Sequence, residues 1–391
     1  MRKIKAHYIF DGDCFHKFGT LVLDENNSVV SIIPYTENDL ETEGVEFYSG
    51  IVCPGFINAH CHLELSHLHN QIPQHTGLPE FISQIVSKRN IFEKRELNMF
   101  EADELMYNEG IVAVGDISNN EESFVVKKSS KITYHSFIEL FDVFSESKKI
   151  FNQGKELFRK LQEFNISLSP HAPYSTSRVL IERIAEHAVE HQYPITIHNQ
   201  EHISENEMFE KKSGEIFDFF QSKGADFSKF YEYKKTSLQT FTPWLPIQNH
   251  VLFVHNVHTS DKDLEFLKSI RSTDTFTFVI CPLSNQYISN ELPPLKMLLN
   301  HKIKVAIGTD SLASNSVLSI IAELNCLQQN FPEISLQSLL QCATKNGAHA
   351  LGIQKQFGSF KTGKKPGVLL LENIDLQNLK LQNNSNVRVL V

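Results

Sequence analysis

The run Ile51-Val52-Cys53-Pro54-Gly55-Phe56-Ile57-Asn58-Ala59-His60-Cys61-His62 restricts the possible folds of this chain more than any other stretch. An apolar segment of this length, punctuated by Pro-Gly, reads as a buried strand. Residues two apart in a strand project to the same side, so His60 and His62 aim at one point while Cys61 faces away. Two imidazoles converging at a strand end are half of a metal site. Eighteen histidines in 391 residues give less than one His-x-His pair by chance, and His67-x-His69 is a second. That pair lies in a polar stretch running to Gly77 and reads as a solvated loop. Placement at a strand end, behind Pro-Gly, sets the first pair apart.

The rest of the chain repeats the strand signal. Apolar β-like runs near 51–59, 111–116, 131–139, 165–169, 194–198, 250–255, 276–281 and 303–310 alternate with longer segments. Helical patterns among the latter cover 78–108, 145–164, 177–191 and 316–329. Eight strands alternating with helices over about 300 residues predict an α/β fold, a (β/α)8 TIM barrel rather than a doubly wound sheet. Residues 1–50 show short apolar stretches broken by Asp11-Gly12-Asp13 and Asn26-Asn27, the pattern of small hairpins, and residues 356–391 look alike. The expected organisation is a small β-sandwich domain built from 1–50 and 356–391, around a catalytic barrel over 51–355. The stretch 199–249 is too long for a simple connection and is a candidate lid over the barrel mouth.

Composition limits the partners. A net charge of −9 gives no basic bias toward nucleic acid or anionic membrane, which leaves a small-molecule substrate as the expectation. No stretch of 18 uninterrupted apolar residues occurs, and no apolar core with a small-residue cleavage site follows the charged N-terminus. Six cysteines without a Cys-x-x-Cys pair read as buried free thiols of a reducing compartment, not as a disulfide frame or a thiolate zinc site. A cytoplasmic location is expected.

Reactive residues recur where the runs end: His60 and His62, His171, His198 with Glu201, His255 with His258, and Asp310. In a parallel barrel these ends meet on one face, where such folds carry out their chemistry. Three imidazoles and a carboxylate suit zinc or a similar divalent cation such as iron(II), so His60, His62, His198 and Asp310 are the expected ligands. Glu64 follows His62 by two and would share its face if the strand continued. His171, beside Pro170 and Pro173, could hydrogen-bond a substrate, and Asn285, after the seventh strand, could line the pocket.

Taken together, Pro54-Gly55-Phe56-Ile57-Asn58-Ala59-His60-Cys61-His62, Pro170-His171-Ala172-Pro173, His198-Asn199-Gln200-Glu201, Val254-His255-Asn256-Val257-His258, Cys281-Pro282-Leu283-Ser284-Asn285 and Gly308-Thr309-Asp310-Ser311 resemble the amidohydrolase superfamily. The similarity is greatest to its deaminase and chlorohydrolase branch, which includes guanine, S-adenosylhomocysteine and aminodeoxyfutalosine deaminases. The resemblance implies a distorted TIM barrel and a single metal on His60, His62, His198 and Asp310, since no lysine follows the fourth strand to build a binuclear site. It further implies that Glu201 moves protons, that His255 stays off the metal and orients the attacking water, and that Asp310 accepts a proton. The run His62-Leu63-Glu64-Leu65-Ser66 resembles the aminodeoxyfutalosine deaminase form of the motif, in which Glu64 binds hydroxyls. A homodimer is common in this branch. The expected reaction is release of ammonia from an amino-substituted heterocycle, foremost an adenine nucleoside derivative such as aminodeoxyfutalosine. Hydrolysis of a cyclic amide, a guanidine or a carbon–chlorine bond is the alternative within the enzymes, and a non-catalytic scaffold the alternative outside them.

Overall fold

The computed structural model describes residues 1–36, 44–90, 95–227 and 234–391. Fifteen strands fall among them. The first five are β1 (Arg2–Phe10), β2 (Phe15–Lys17), β3 (Thr20–Leu23), β4 (Val29–Ile33) and β5 (Val45–Pro54). Eight more follow along the middle of the chain: β6 (Phe56–Cys61), β7 (Ile111–Ser118), β8 (Thr133–Leu140), β9 (Ile166–Pro170), β10 (Ile195–Asn199), β11 (Val251–His255), β12 (Phe276–Ile280) and β13 (Val305–Ile307). The last two are β14 (Val368–Asp375) and β15 (Lys380–Val389).

The middle eight form two four-stranded parallel sheets, β6-β7-β8-β9 and β10-β11-β12-β13. The sheets abut at both edges. His198 N donates to His171 O at 2.9 Å on one side, and an isolated parallel bridge joins Cys61 to Asp310 on the other. Residues of β6 and of β9 to β13 are buried throughout, because both faces of a parallel sheet are covered. That is why apolar residues dominate these strands and even the small polar ones within them, Ser167, Ser169 and Thr196, are buried; the polar residue ending each run stands at a common rim.

Chain termini meet in one seven-stranded sheet of order β15-β14-β5-β1-β3-β4, with β2 paired to β1. Its inner face packs Ile4, Ile9, Leu21, Val52 and Leu370. The strands expected to build the small β domain from both termini are thus hydrogen-bonded into one sheet. One expectation is corrected: the run predicted as one strand, 51–59, is two. Residues up to Pro54 pair with β1 and β14, and only Phe56 onward joins β7. Gly55 makes the crossing possible, since a Cβ there would lie 2.3 Å from Val112 Cγ1.

Among the helices, the predicted segment 78–108 divides into Leu78–Lys88 and Arg95–Asn108, with 91–94 outside the described residues. The predicted helix 316–329 begins at Ile320, where the Ser319 side chain accepts from Ala322 N and caps the first turn. The long connection after β10 carries helices Ile203–Lys211, Glu215–Ser222 and Ser237–Phe241, with 228–233 outside the described residues. No helix among the described residues is long and apolar enough to cross a membrane.

Candidate active site

Strand β6 delivers His60 and His62 to the rim, buried with their rings 4.9 Å apart, and β10 delivers His198 with its ring 5.0 Å from that of His60. Asp310 follows β13. It comes beside His60 because Gly308 has no side chain: a Cβ there would sit 2.8 Å from His60 Cβ, and the close approach lets Thr309 N and Asp310 N donate to His60 O. Asp310 Oδ1 lies 3.7 Å from His60 Nε2 and 3.5 Å from His62 Nε2. Its other oxygen accepts from Ser284 Oγ at 2.7 Å and Ser314 Oγ at 2.6 Å, which fixes the carboxylate.

The nitrogen lone pairs point inward. His198 Nδ1 lies 2.8 Å from His171 O, a carbonyl that can only accept, so the ring proton sits on Nδ1 and Nε2 is left bare. That bare nitrogen faces His62 Nε2 at 3.3 Å, and His60 Nε2 is buried with no hydrogen-bond partner. Burial, then the neighbouring imidazoles His62 and His198, hold the His60 ring well below its usual protonation range. Three imidazole nitrogens with a carboxylate oxygen across from them fit a divalent cation of the zinc or iron(II) type.

Glu201 and His255 stand next to this group and not within it. His255 Nε2 is 3.6 Å from Glu201 Oε1. Burial, reinforced by the Asp310 and Glu205 charges, pushes the Glu201 carboxyl well above the usual range, which favours its acid form. Burial lowers His255 to about 3, and Asn285 Nδ2 donates to its Nδ1 at 3.1 Å, which leaves the ring proton on the nitrogen facing Glu201. Asn285 thus sits one layer behind His255, not on the cavity wall where the sequence places it. Left-handed backbone at Gln200, His255, Asn256 and Asp310 marks the same rim. Non-glycine residues in that conformation cost roughly 1–3 kcal/mol each, and such strain collects where side chains must be aimed.

A cavity of about 520 Å³ opens over these groups. His62, His171, His198, Glu201, His255 and Asp310 form its inner wall, and Leu78, Phe81, Ile82, Phe141, Phe144 and Phe220 its outer part. Phe219, Phe220 and Lys223, from the long connection after β10, are also on the wall. His171 is the wall residue that the sequence anticipated; its Nδ1 is bound to Ser175 Oγ at 2.6 Å and burial lowers the ring to about 4.

Glu64 differs from its expected placement. Strand β6 ends at Cys61, because Leu63 N is captured by Asp116 Oδ1 at 2.8 Å and the chain turns into a 3-10 helix, Leu63–Leu68. Glu64 is buried in that turn, accepting from Arg89 Nη2 and Asn119 N, each at 2.9 Å. Arg89 and Asn119 are the ones that reach the cavity wall. His67 is buried in the same turn, its Nε2 3.0 Å from Arg89 O, which corrects its reading as a solvated loop residue; His69 is exposed as expected. Glu139, passed over in the sequence, closes the wall at the end of β8, with Oε2 accepting from Asn119 Nδ2 at 2.9 Å and Oε1 3.6 Å from His198 Nδ1. It ends the third predicted run, so the strand-end logic that found His171 also points to it.

Parallel strands presenting imidazole and carboxylate donors at one rim are the arrangement of metal-dependent hydrolases. Residues 51–389 match the amidohydrolase family, and the chain belongs to it. Among curated relatives, an adenosine deaminase of Helicobacter pylori is 28% identical over 332 residues, covering 82% of this chain and 78% of the relative. A 5'-deoxyadenosine deaminase of Methanococcus maripaludis is 26% identical over 390 residues, covering 94% and 82%. The crystal structure of Helicobacter pylori aminofutalosine deaminase in complex with methylthio-coformycin shares the fold, with a TM-score of 0.83 at 24% identity over 95% of this chain and 92% of that one.

Proposed function

We propose that this protein is a metal-dependent hydrolase that releases ammonia from an adenine nucleoside modified at the 5' position. The observation that carries the reading is the gathering of four donors, His60, His62, His198 and Asp310, beside the Glu201 carboxyl, which burial raises well above its usual range; all of these but His60 line one cavity. In this reading the two parallel sheets close as one (β/α)8 barrel that begins after Pro54, and the sheet of both termini is a separate small β domain.

His60, His62, His198 and Asp310 would hold one divalent ion, zinc or iron(II). Such an ion supplies a Lewis acid and lowers the pKa of a bound water from 15.7 toward ~7. Asp310 Oδ1 takes the proton of the attacking water while its Oδ2 stays fixed by two serine hydroxyls. Glu201 gives its proton to the ring nitrogen adjacent to the amino-bearing carbon as the new C–O bond forms. His255, with its Nε2–H aimed at the same point, donates to the developing oxygen charge. The C–N bond then breaks as the amino group takes the proton held by Asp310 and leaves as ammonia, and the new hydroxyl gives its proton back to Glu201 as the carbonyl forms.

Cavity shape supports a nucleoside over a free base. Beyond the polar groups that would act on the base, the cavity carries an extensive aromatic lining, including Phe81, Phe141, Phe144 and Phe220, together with Arg89 and Asn119, in a volume within the ~300–1,000 Å³ of sites for larger ligands. Glu64 acts on the sugar through Arg89 and Asn119, which it holds against the wall. The test is ammonia release with adenosine, 5'-deoxyadenosine, 5'-methylthioadenosine, aminodeoxyfutalosine, guanine and cytosine. Higher kcat/KM on the 5'-modified nucleosides is expected. A preference for guanine would overturn the nucleoside reading, and no ammonia from any of them would overturn the reaction.

A further inference from the structure

We propose that Asp11, Cys14 and His16 form a second site, remote from the active site, for a zinc-like divalent cation. The three residues belong to the hairpin between β1 and β2, and none takes part in the chemistry above. Their donor atoms already converge: Asp11 Oδ2 lies 2.7 Å from His16 Nε2 and 3.6 Å from Cys14 Sγ, and Cys14 Sγ lies 3.7 Å from His16 Nε2. A tetrahedral zinc-like ion, at ~2.0–2.2 Å from nitrogen and oxygen and ~2.3 Å from sulfur, needs such donors roughly 3.3–3.6 Å apart. Both sulfur distances meet that requirement within about 0.2 Å. The Asp11–His16 hydrogen bond has to open by roughly half an ångström, and solvent takes the fourth position.

The scaffold around the donors is fixed on the side away from solvent. Asp11 Oδ1 is occupied by the backbone N–H of Asp13 at 2.7 Å and of Cys14 at 2.8 Å, which turns Oδ2 toward the other two donors. Asp11 O accepts from Phe360 N at 2.8 Å, and Asp13 O from Gln341 Nε2 at 3.0 Å. Asp13 is paired with Lys345, so its carboxylate is not a fourth ligand. Cys14 is the one exposed cysteine; Cys53, Cys61, Cys281, Cys326 and Cys342 are buried as the sequence predicts. One aspartate and one thiolate cancel the charge of a divalent ion, giving a neutral site on an acidic protein.

Without a cation, burial and the Asp11 carboxylate push the Cys14 thiol up, so it keeps its proton. Coordination forms a metal–sulfur bond and releases that proton to solvent. The expected consequence is local. A bound ion would lock the turn that carries Asp13 against Lys345 and Gln341, stiffening the seam between the terminal sheet and the rest of the chain.

The experiment uses the whole protein already loaded with one metal per chain. Zinc is titrated in competition with a chromophoric chelator, and cobalt(II) is added separately as a spectroscopic probe. A second zinc equivalent is expected, together with a sulfur-to-cobalt charge-transfer band in the near ultraviolet. Cys14→Ser should abolish the band and the second equivalent, and His16→Ala should abolish the second equivalent, with ammonia release unchanged in both variants. One zinc equivalent in the wild type, or a second that survives both substitutions, overturns the proposal. So does a second cobalt ion bound without the band. None of these readings depends on which substrate is deaminated.

Discussion

Replacing Glu201 with glutamine isolates the proton transfer from everything else in the site. The amide has the same shape and fits a pocket that is only 6% exposed, so packing and the contact with His255 persist. What disappears is a transferable proton, whose acid form burial and the Asp310 and Glu205 charges favour. A positioned acid contributes ~10²–10⁴ in rate, so kcat should fall by that factor, equivalent to about 3–5 kcal/mol on the barrier. Glu201 lies outside the group of converging donors, so metal content should stay near that of the wild type. The pH behaviour has a definite sign. The folded-state pKa of Glu201 is raised, so the active acid form is full at low pH and is lost as pH rises through that pKa. The alkaline fall of the wild-type rate should therefore be missing from the residual activity of the variant. Coupled ammonia release and elemental analysis of the same preparations check both points. If Glu201→Gln loses its metal, Glu201 is a ligand; if kcat stays within a few-fold of wild type, the proton comes from elsewhere. Either result refutes the assignment.

Asp310→Ala should lose metal occupancy along with ammonia release, because one of four donors is removed; full metal content by elemental analysis would move the ligand role to another residue. Asn285→Leu leaves His255 Nδ1 buried without its 3.1 Å donor, a loss of about 1–3 kcal/mol, so kcat should drop ~5–150-fold in steady-state assays while KM and metal content hold. Glu323 accepts from Leu283 N and Asn315 Nδ2, both at 2.9 Å, and burial pushes it up to about 8. Its contribution to stability is complete below the unfolded carboxyl pKa of ~4.3 and is lost as pH rises through the folded value. Wild-type Tm should therefore fall between about pH 5 and 8 more steeply than that of Glu323→Gln, as thermal unfolding at several pH values will measure.

How much of this was legible from the sequence follows from what burial writes into it. Parallel strands covered on both faces are rich in apolar residues with only small polar ones between them, and the residue ending each run marks the rim, so all eight middle strands and the rim positions of His60, His62, His171, His198, His255 and Asp310 could be read. The same rule hides a change of sheet: Ile51, Val52 and Cys53 are as apolar as Phe56 and Ile57, and only the pairing shows that the first three belong to β5 and the others to β6. Contacts between loops leave no periodic trace at all. Arg89 and Asn119 meet Glu64 from 25 and 55 residues away, and Ser284 and Ser314 fix Asp310 as two hydroxyls among many.

The hardest distinction is between histidines that share a rim. His171 and His198 end neighbouring strands, their rings 4.9 Å apart, and strand-end position alone does not separate the expected ligand His198 from His171. The difference is one hydrogen bond each. His198 gives its Nδ1 proton to the His171 carbonyl, an obligatory acceptor, and so must turn a bare Nε2 toward His62. His171 spends its Nδ1 on Ser175 Oγ, a hydroxyl that can donate or accept, and so its tautomer is not forced. A ring whose proton is committed elsewhere offers a fixed lone pair; a ring whose proton can move offers a substrate either a donor or an acceptor. That backbone carbonyl, supplied by His171, is what favours His198 as the proposed ligand, and it exists only once β9 and β10 lie side by side.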